Sequence, residues 1–591
     1  MVESKDRNNG EKRDIFIGGA WPYANYLMHV GHLAALLPGD ILAKYFREHG
    51  DNVIYVSGSD CHGTPITERA MLEDKDPSEI AGHYHEEFKK TFDRLGFEFD
   101  EYSSTMSDYH KKYVVEQFRK LIENGYIYEK EVEQDYCEEC DKFLSDREIV
   151  GVCPHCGGAS TGDQCEACGA SLDSTEVLDK HCKECGGETI LRNNKHLYFE
   201  LSAFSDELRE LINNSRGTWR DIAIGGAKNY IDTGLSDRAV TRQLNWGIPV
   251  PVKGYEDKRI YVWIEAVLGY LSVAKEVCEK RGIDFDQFMS KDNPNLSTYY
   301  VHGKDNITFH TTIYPALLMG LKNGYQLPEH ILSSAYVTMK DMKMSKSKGN
   351  LITVNELSDM FDSDTLRFYF ARKGPEVRDM NLSIQDIAQT HNTFLVGMLG
   401  NFVNRNLSFI NKKFDGKITE GHIDERIKEA TEKIYREMGE HIEKGELRSA
   451  TTALFAYVFG ANKYYDAREP WKQVKADMDS FNDTTYTCAY MMANLANLMA
   501  PILPEGAKKI KEMLSLPELS WNPQDLDGDI QIQNFQMLYD RLDEKKFAGA
   551  PEEEPKPVEM SEKSTDSQSK EAVTMVEKPK VLVKGKTGFE R

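Results

Sequence analysis

The stretch DIFIGGAWPYANYLMHVGH, Asp14 to His32, decides how the chain is read. It starts inside RDIFIGGA (Arg13 to Ala20), an apolar run rich in β-branched and aromatic residues and closed by glycines, the pattern of a buried strand. HLAALLPGDILAKYFREHG then has apolar residues at helical spacing and stops at Gly50, a natural C-cap. NVIYVSGSD is a second buried strand, ending at Asp60. Strand, helix and strand make a βαβ unit of a parallel sheet. Such sheets bind ligands beyond the carboxyl ends of their strands. PYANYLMHVGH (Pro22 to His32) and GSDCHGTP (Gly58 to Pro65) both lie there.

The rest of the chain must be built around that unit. At 591 residues it exceeds one ordinary core, so three or more domains are expected. Hydrophobic content of 40% and charged content of 29% are those of a soluble globular protein. No apolar run reaches the ~18–20 residues of a membrane span. The polar N-terminus MVESKDRNNGEKRD has no signal-peptide core, so a cytoplasmic location without membrane attachment is expected. The net charge of -23 argues against a basic nucleic-acid coat, though a local basic track would suffice for docking.

Residues from about 111 to 257 interrupt the α/β pattern with charges and cysteines. β-type runs return at RIYVWIEAVLGY and STYYVHGKDN, followed by helical spacing in FHTTIYPALLMGLKNG. Residues 13–110 and 258–334 therefore read as two halves of one Rossmann-type, parallel-sheet α/β domain, split by the insertion at 111–257. Residues 335–389 carry a lysine-rich loop, and 390–545 are helical by period, as in TFLVGMLGNFVNRNLSFINK and ATTALFAYVFGANKYYDA. The segment 546–591, rich in Pro, Glu, Lys and Ser, reads as a disordered polar tail.

Two short motifs carry chemistry. In HVGH, Gly31 lets the backbone approach a ligand where a helix begins, and His29 and His32 add donors on the same side of the turn. A helix N-terminus with two imidazoles can hold a polyphosphate and stabilise charge developing during transfer. In KMSKSKGN, Lys343, Lys346 and Lys348 stand with Ser345 and Ser347 in a loop containing Gly349, suited to neutralising a departing pyrophosphate. Either motif alone also fits an ordinary loop. Both together, in this order and separated by a split sheet, are specific.

Eight of the 11 cysteines form four Cys-x-x-Cys pairs. In a reducing compartment that spacing reads as metal rather than disulfide. Cys153/Cys156 with Cys165/Cys168 has zinc-ribbon spacing, and the flanking Cys137/Cys140 and Cys182/Cys185 pair with each other. Two structural Zn2+ sites of four thiolates each are expected, with no open coordination position. His155 and His181 are spare donors that neither site needs.

With HVGH, KMSKS, PYAN, GSDCHGTP and YVWIEAVLGY, the chain resembles the class I aminoacyl-tRNA synthetases, and the methionyl-tRNA synthetases among them, from about Asp14 to residue 545. The resemblance implies a methionine–tRNA ligase. Such an enzyme makes methionyl-adenylate from methionine and ATP, with Mg2+ accompanying ATP, and then charges the 3′ end of tRNA(Met) for initiation and elongation. His29, His32, Lys343 and Lys346 would be catalytic, and Gly31, Ser345 and Ser347 would join them around ATP. Tyr23, Asp60, Arg242, Trp263, Ala266, Tyr270 and His310 would bind methionine. Asp60 equally suits a helix N-cap, and Trp263 with Tyr270, seven apart, equally suit a buried aromatic stripe. The insertion would be the connective domain, 335–389 the stem-contact region, and 390–545 the anticodon-binding domain. There Asn401, Arg405 and Trp471 would read the anticodon, with a bundle-capping role the alternative for Trp471. The polar tail replaces the C-terminal dimerising domain of some members, so a monomer is expected, with room for a separate tRNA-binding protein.

The sequence departs from the family pattern at Tyr26-Leu27, Val30, Gln243, Val267 and Cys61, none of them a proposed catalytic group. A synthetase for a larger aliphatic amino acid would need a longer editing insertion. A small-molecule adenylyltransferase would leave Asn401, Arg405 and Trp471 unexplained, and a zinc-ribbon nucleic-acid binder would need neither Asp60 nor the lysine loop.

Overall fold

The computed structural model describes residues 12–145, 148–162, 165, 172, 174–339, 342–343 and 351–547. The first of its compact units spans Met1–Ala550 and contains all of them. Its centre is a five-stranded sheet of β1 (Asp14–Gly19), β2 (Asn52–Ser59), β3 (Glu101–Ser104), β4 (Leu296–Gly303) and β5 (His330–Ser334). The order is β5-β4-β1-β2-β3, with every pairing parallel. β1 sits in the middle, so the order reverses beside it, and Asp14 faces both Asn52 and Leu296. The two halves of the split domain thus close into one sheet. Its inner strands are apolar on both faces because helices cover both sides.

Helix α1 (Val30–His49) follows β1 and ends at Gly50, whose φ of 92° requires glycine. Pro38 lies inside α1 and cannot donate to the Ala34 carbonyl one turn back. The Ser334 hydroxyl at the end of β5 takes over that acceptor at 3.1 Å.

The reading of RIYVWIEAVLGY as a strand is corrected. Only Arg259–Ile260 is extended, and α2 (Val262–Arg281) begins directly after it. α2 is buried nearly all round, so its apolar run shows no polar face and mimics a core strand. Helix Asp108–Glu123 straddles the expected start of the insertion at 111 and packs with the sheet's helices, His110 Nδ1 lying 2.9 Å from the Ser272 hydroxyl on α2.

The insertion is a long antiparallel ladder of Ile127–Cys137 with Thr189–Phe199, with short strands and the cysteine knuckles at its tip. Helices α3 (Ser363–Lys373), α4 (Asn401–Lys413) and α5 (Leu447–Arg468) belong to the C-terminal half, together with Glu425–Glu443 and Met478–Met499. The expected tail lies outside the described residues apart from its first two positions. Among the described residues no helix is long and apolar enough to cross a membrane.

One buried cluster joins α1 to the helical half. Arg367 on α3 pairs with Asp40 on α1 at 2.7 Å, with both side chains fully buried. It also donates to the carbonyls of Leu95, Pro501 and Ile502. Burial pushes the Asp40 pKa up, but the charges of Arg367 and Lys44 and the Glu98 amide outweigh it and hold the carboxyl below its usual range. Removing Arg367 leaves Asp40 with Lys44 alone, 3.1 Å away, and breaking a buried pair typically costs ~3–5 kcal/mol. Arg367→Leu should lower urea-unfolding stability by about that much, and Asp40→Asn combined with Arg367→Met should recover part of the loss.

Candidate active site

The N-terminus of α1 opens beyond the carboxyl end of β1, where the first four helical amides need acceptors. His29 is the N-cap. Its Nδ1 accepts from the Gly31 amide at 3.1 Å, and His32 Nδ1 accepts from the His29 amide at 3.2 Å. The rings stack with centroids 3.9 Å apart. An imidazole that accepts at Nδ1 carries its proton on Nε2. Both histidines therefore carry Nε2–H donors beside the positive end of the helix dipole. A Cβ at position 31 would meet the His29 ring at 2.9 Å, which explains the glycine.

His29, Gly31 and His32 line a cavity of about 350 Å³ together with Tyr23, Asp60, Trp263, Ala266, Tyr270 and His310. β1, β2, α2 and the segment after β4 converge there. The helix at Thr64–Glu73 has Gly63 as its N-cap, so Asp60 does not cap it. Asp60 is buried, and burial followed by the charge of Glu265 pushes its carboxyl well above the usual range. Among the described residues no cation pairs with it. It is a buried acid that a bound cation would ionise.

The apolar end of the cavity is held by a chain of rings. The Trp263 indole donates to the Tyr23 hydroxyl and packs edge-on against Phe309 at 3.8 Å. His310 Nδ1 donates to the Asn306 carbonyl at 2.9 Å, which leaves Nε2 to accept from the Tyr270 hydroxyl at 2.8 Å. Burial lowers the His310 pKa to about 4, so the ring is neutral at physiological pH.

Arg242 is not among the residues lining the cavity. It lies on a two-residue hairpin strand, donates to the Ala239 and Thr241 carbonyls and stacks 4.1 Å over the Tyr261 ring. Tyr261 in turn stacks on Trp263, so Arg242 stands one ring away from the lining.

Lys343 ends the short strand Met342–Lys343; its side chain and Ser345, Lys346 and Ser347 lie outside the described residues. The chain is anchored to the site on both sides of that loop. Val337 lines the cavity, and after the loop Val354 donates to Met28 at 2.8 Å while Val30 donates to Ile352 at 3.3 Å.

Sequence reasoning missed two features. Trp21 lines the cavity and packs so tightly on Gly58 and Gly269 that a Cβ there would meet the indole at 2.7 and 2.5 Å. His62 Nδ1 and Glu265 Oε1 form a buried pair at 2.6 Å behind Asp60. The only local signal for the second was His62 within two residues of Asp60.

The cysteines meet as their spacing predicts. The ligand atoms of Cys137, Cys140, Cys182 and Cys185 lie within 4.8 Å of one another, as do those of Cys153, Cys156 and Cys165. Cys168 lies outside the described residues. The amides of Cys140 and Gly187 donate to the sulfurs of Cys137 and Cys185, each at 3.4 Å, as thiolate ligands require. Both donor sets suit zinc.

In the helical half, Asn401 on α4 donates to Asn462 on α5 at 2.9 Å, and Arg405 pairs with Asp466 at 2.7 Å. Trp471 is 39% exposed and packs on the buried Tyr465 of the bundle core, with ring centroids 5.8 Å apart. Arg405 lies over the same tyrosine at 5.0 Å. The three residues share one surface, assembled by α5.

Residues 15–407 match the family model of class I tRNA synthetases of the methionyl type, and residues 416–536 match the anticodon-binding domain of methionyl-tRNA ligase. The chain belongs to the methionyl-tRNA synthetase family. A methionine–tRNA ligase 1 of Alkaliphilus oremlandii is 46% identical over 533 residues, which cover 90% of this chain and 98% of that protein. One from Bacillus cereus is 46% identical over 535 residues, or 90% and 97%. In fold, the family resemblance extends to the Mycobacterium tuberculosis methionyl-tRNA synthetase in complex with methionyl-adenylate. One such structure has a TM-score of 0.70 at 24% identity, covering 85% of this chain and 94% of that one. A second has a TM-score of 0.74 at 22% identity, covering 89% and 100%.

Zinc in such thiolate sites contributes ~10–16 kcal/mol of apparent binding energy in small peptides. Cys182→Ser should remove one zinc per chain in metal analysis and lower the melting temperature, with the other cluster still loaded.

Proposed function

We propose that the chain is a methionine–tRNA ligase. It activates methionine with ATP to methionyl-adenylate and pyrophosphate, then transfers the methionyl group to the 3′ end of tRNA(Met), for initiation and elongation alike. The observation that carries this is a single cavity that joins a double-histidine helix cap to a buried Asp60, paired with no cation among the described residues, and a neutral aromatic slot.

Asp60 takes the methionine ammonium, and Trp263, Tyr270 and neutral His310 enclose the thioether, a polarisable group suited to aromatic surroundings. The carboxylate oxygen of methionine then attacks the α-phosphorus of ATP, and the bond to pyrophosphate breaks. The Nε2–H groups of His29 and His32 stabilise charge on the phosphates, and Gly31, with no side chain, lets them approach the positive end of α1. Lys343 and Lys346 neutralise the departing pyrophosphate, Ser345 and Ser347 join them around ATP, and Mg2+ accompanies ATP as its counter-ion. No covalent enzyme intermediate is needed, so catalysis is positioning and electrostatics. Arg242 supports the slot through Tyr261 and Trp263. The zinc clusters shape the insertion, and Asn401, Arg405 and Trp471 contact the anticodon. The protein acts as a cytoplasmic monomer, to which a separate tRNA-binding protein could add.

Methionine-dependent ATP–pyrophosphate exchange, run beside isoleucine, leucine, valine and cysteine, tests the reading. Exchange with methionine alone is expected. Removing one preorganised donor costs ~10²–10³ in rate, so His29→Ala should lower kcat by that much. Exchange with another amino acid would overturn the slot assignment.

The buried acid sets a pH dependence. Asp60 binds ammonium as a carboxylate, and its pKa is raised, so acidification protonates it first in the free enzyme. The KM for methionine should rise as pH falls. Asp60→Asn should raise KM by ~10–100-fold, since a charged hydrogen bond is worth ~1.5–3 kcal/mol, and should flatten that dependence.

A further inference from the structure

Behind the amino-acid cavity, three buried polar atoms have no hydrogen-bond partner among the described residues: Trp21 Nε1, His110 Nε2 and Glu265 Oε2. They gather on one face of α2. Glu265, Gly269 and Ser272 are four and three residues apart along it, so they stack over successive turns. Glu265 is fully buried there, and its other oxygen, Oε1, accepts from His62 Nδ1 at 2.6 Å. The Trp21 indole lies on Gly269, where a Cβ would meet Cε2, the atom that carries Nε1, at 2.8 Å. His110 is 1% exposed, reaches the Ser272 hydroxyl through Nδ1 at 2.9 Å, and packs against the Trp21 ring with centroids 5.6 Å apart.

The roles of the three atoms are fixed. An indole N–H only donates. The Ser272 hydroxyl gives its proton to the Gly269 carbonyl at 3.1 Å, so it accepts from His110 Nδ1–H, and His110 Nε2 is left as an acceptor. Burial, followed by the charges of His62 and Lys111, lowers the His110 pKa to about 3, so that nitrogen stays unprotonated. Glu265 Oε2 accepts as a carboxylate oxygen. One donor and two acceptors are the complement of one water, which accepts one hydrogen bond and donates two; buried waters typically make ~3 such bonds. A cation would face the Trp21 N–H and an anion the Glu265 carboxylate, so neither suits the place. The titratable groups around Glu265 are Asp60, Cys61 and His62 at the end of β2, and His110 and Lys111 on the helix Asp108–Glu123. Burial, followed by the Asp60 charge, pushes the Cys61 thiol up to about 12, so it is neutral. The network reaches both sides of the amino-acid pocket, since Trp21 lines the cavity and the His62 amide donates to Asp60 at 3.4 Å.

We propose that Glu265 is a positioning residue of the amino-acid pocket, held by His62 on one oxygen and by a buried water shared with Trp21 and His110 on the other, and that it thereby ties the cavity wall at Trp21 to the ammonium ligand Asp60. The part played by Asp60 rests on the ligase reading; the water site does not.

The test reads the water site and the pocket separately, on the full chain. In protein carrying isotope-labelled tryptophan, the Trp21 Nε1–H resonance, assigned by its loss in Trp21→Phe, should show cross-relaxation to water and should move in Glu265→Gln. The KM for methionine is measured in parallel by ATP–pyrophosphate exchange across pH. Glu265 is a like charge behind Asp60, so its removal lets Asp60 ionise at lower pH, and the acid rise of KM should begin ~1 pH unit lower in Glu265→Gln. Glu265→Asp keeps the charge and should keep the wild-type profile while raising KM. A Trp21 resonance without water contact would overturn the proposal, and that measurement needs no variant at Glu265. A glutamate that only fills space would raise KM in both variants without moving the profile, which would overturn it too. A wild-type chain that shows the Trp21–water contact but no methionine-dependent exchange would overturn the ligase reading and keep the water site.

Discussion

The unsatisfied amides at the start of α1 are the constraint on which the site depends. A buried helix N-terminus must find acceptors, and here two imidazoles supply them reciprocally. Satisfying the backbone through Nδ1 sets the tautomer of both rings and turns Nε2 into a donor. One interaction thus closes the helix and arms the anion site. It also requires Gly31, because the His29 ring occupies the space of a side chain.

The other half of the cavity follows a complementary logic. Asp60 accepts from the His62 amide at 3.4 Å but pairs with no cation among the described residues, and Glu265 behind it makes ionisation harder. The site is therefore short of a positive charge in the absence of ligand, and a bound ammonium supplies one. The neighbouring slot is neutral because His310 is buried and its tautomer is set by the Asn306 carbonyl. A thioether meets no charge there, and an ammonium has one place to go.

α1 also carries the link to the rest of the molecule. Ten residues beyond Val30, Asp40 meets Arg367, and the same guanidinium reaches the carbonyls of Leu95, Pro501 and Ile502. The helix whose first turn builds the anion site is thereby anchored to the helical half by its middle. Val354 and Val30 add a second tie on the far side of the lysine loop. The Asp379–Lys304 pair is a third, between the rim of the cavity and the segment after α3.

What could be read from the chain alone was local. H-x-G-H, the Cys-x-x-Cys knuckles and the strand–helix–strand unit are set by contacts between residues a few positions apart, so spacing determines them. The pairing of Cys137/Cys140 with Cys182/Cys185 was read from their flanking the ribbon-spaced set, and the strand ladder brings them together. α2 misled as a strand because burial on all sides erased its periodicity. Tertiary structure alone decided what meets from far away: Glu265 behind Asp60, Arg242 one ring outside the lining, and Trp471 half-exposed over Tyr465. The physical reason is that desolvation and charge balance depend on everything packed around a group, and only the folded chain supplies those neighbours.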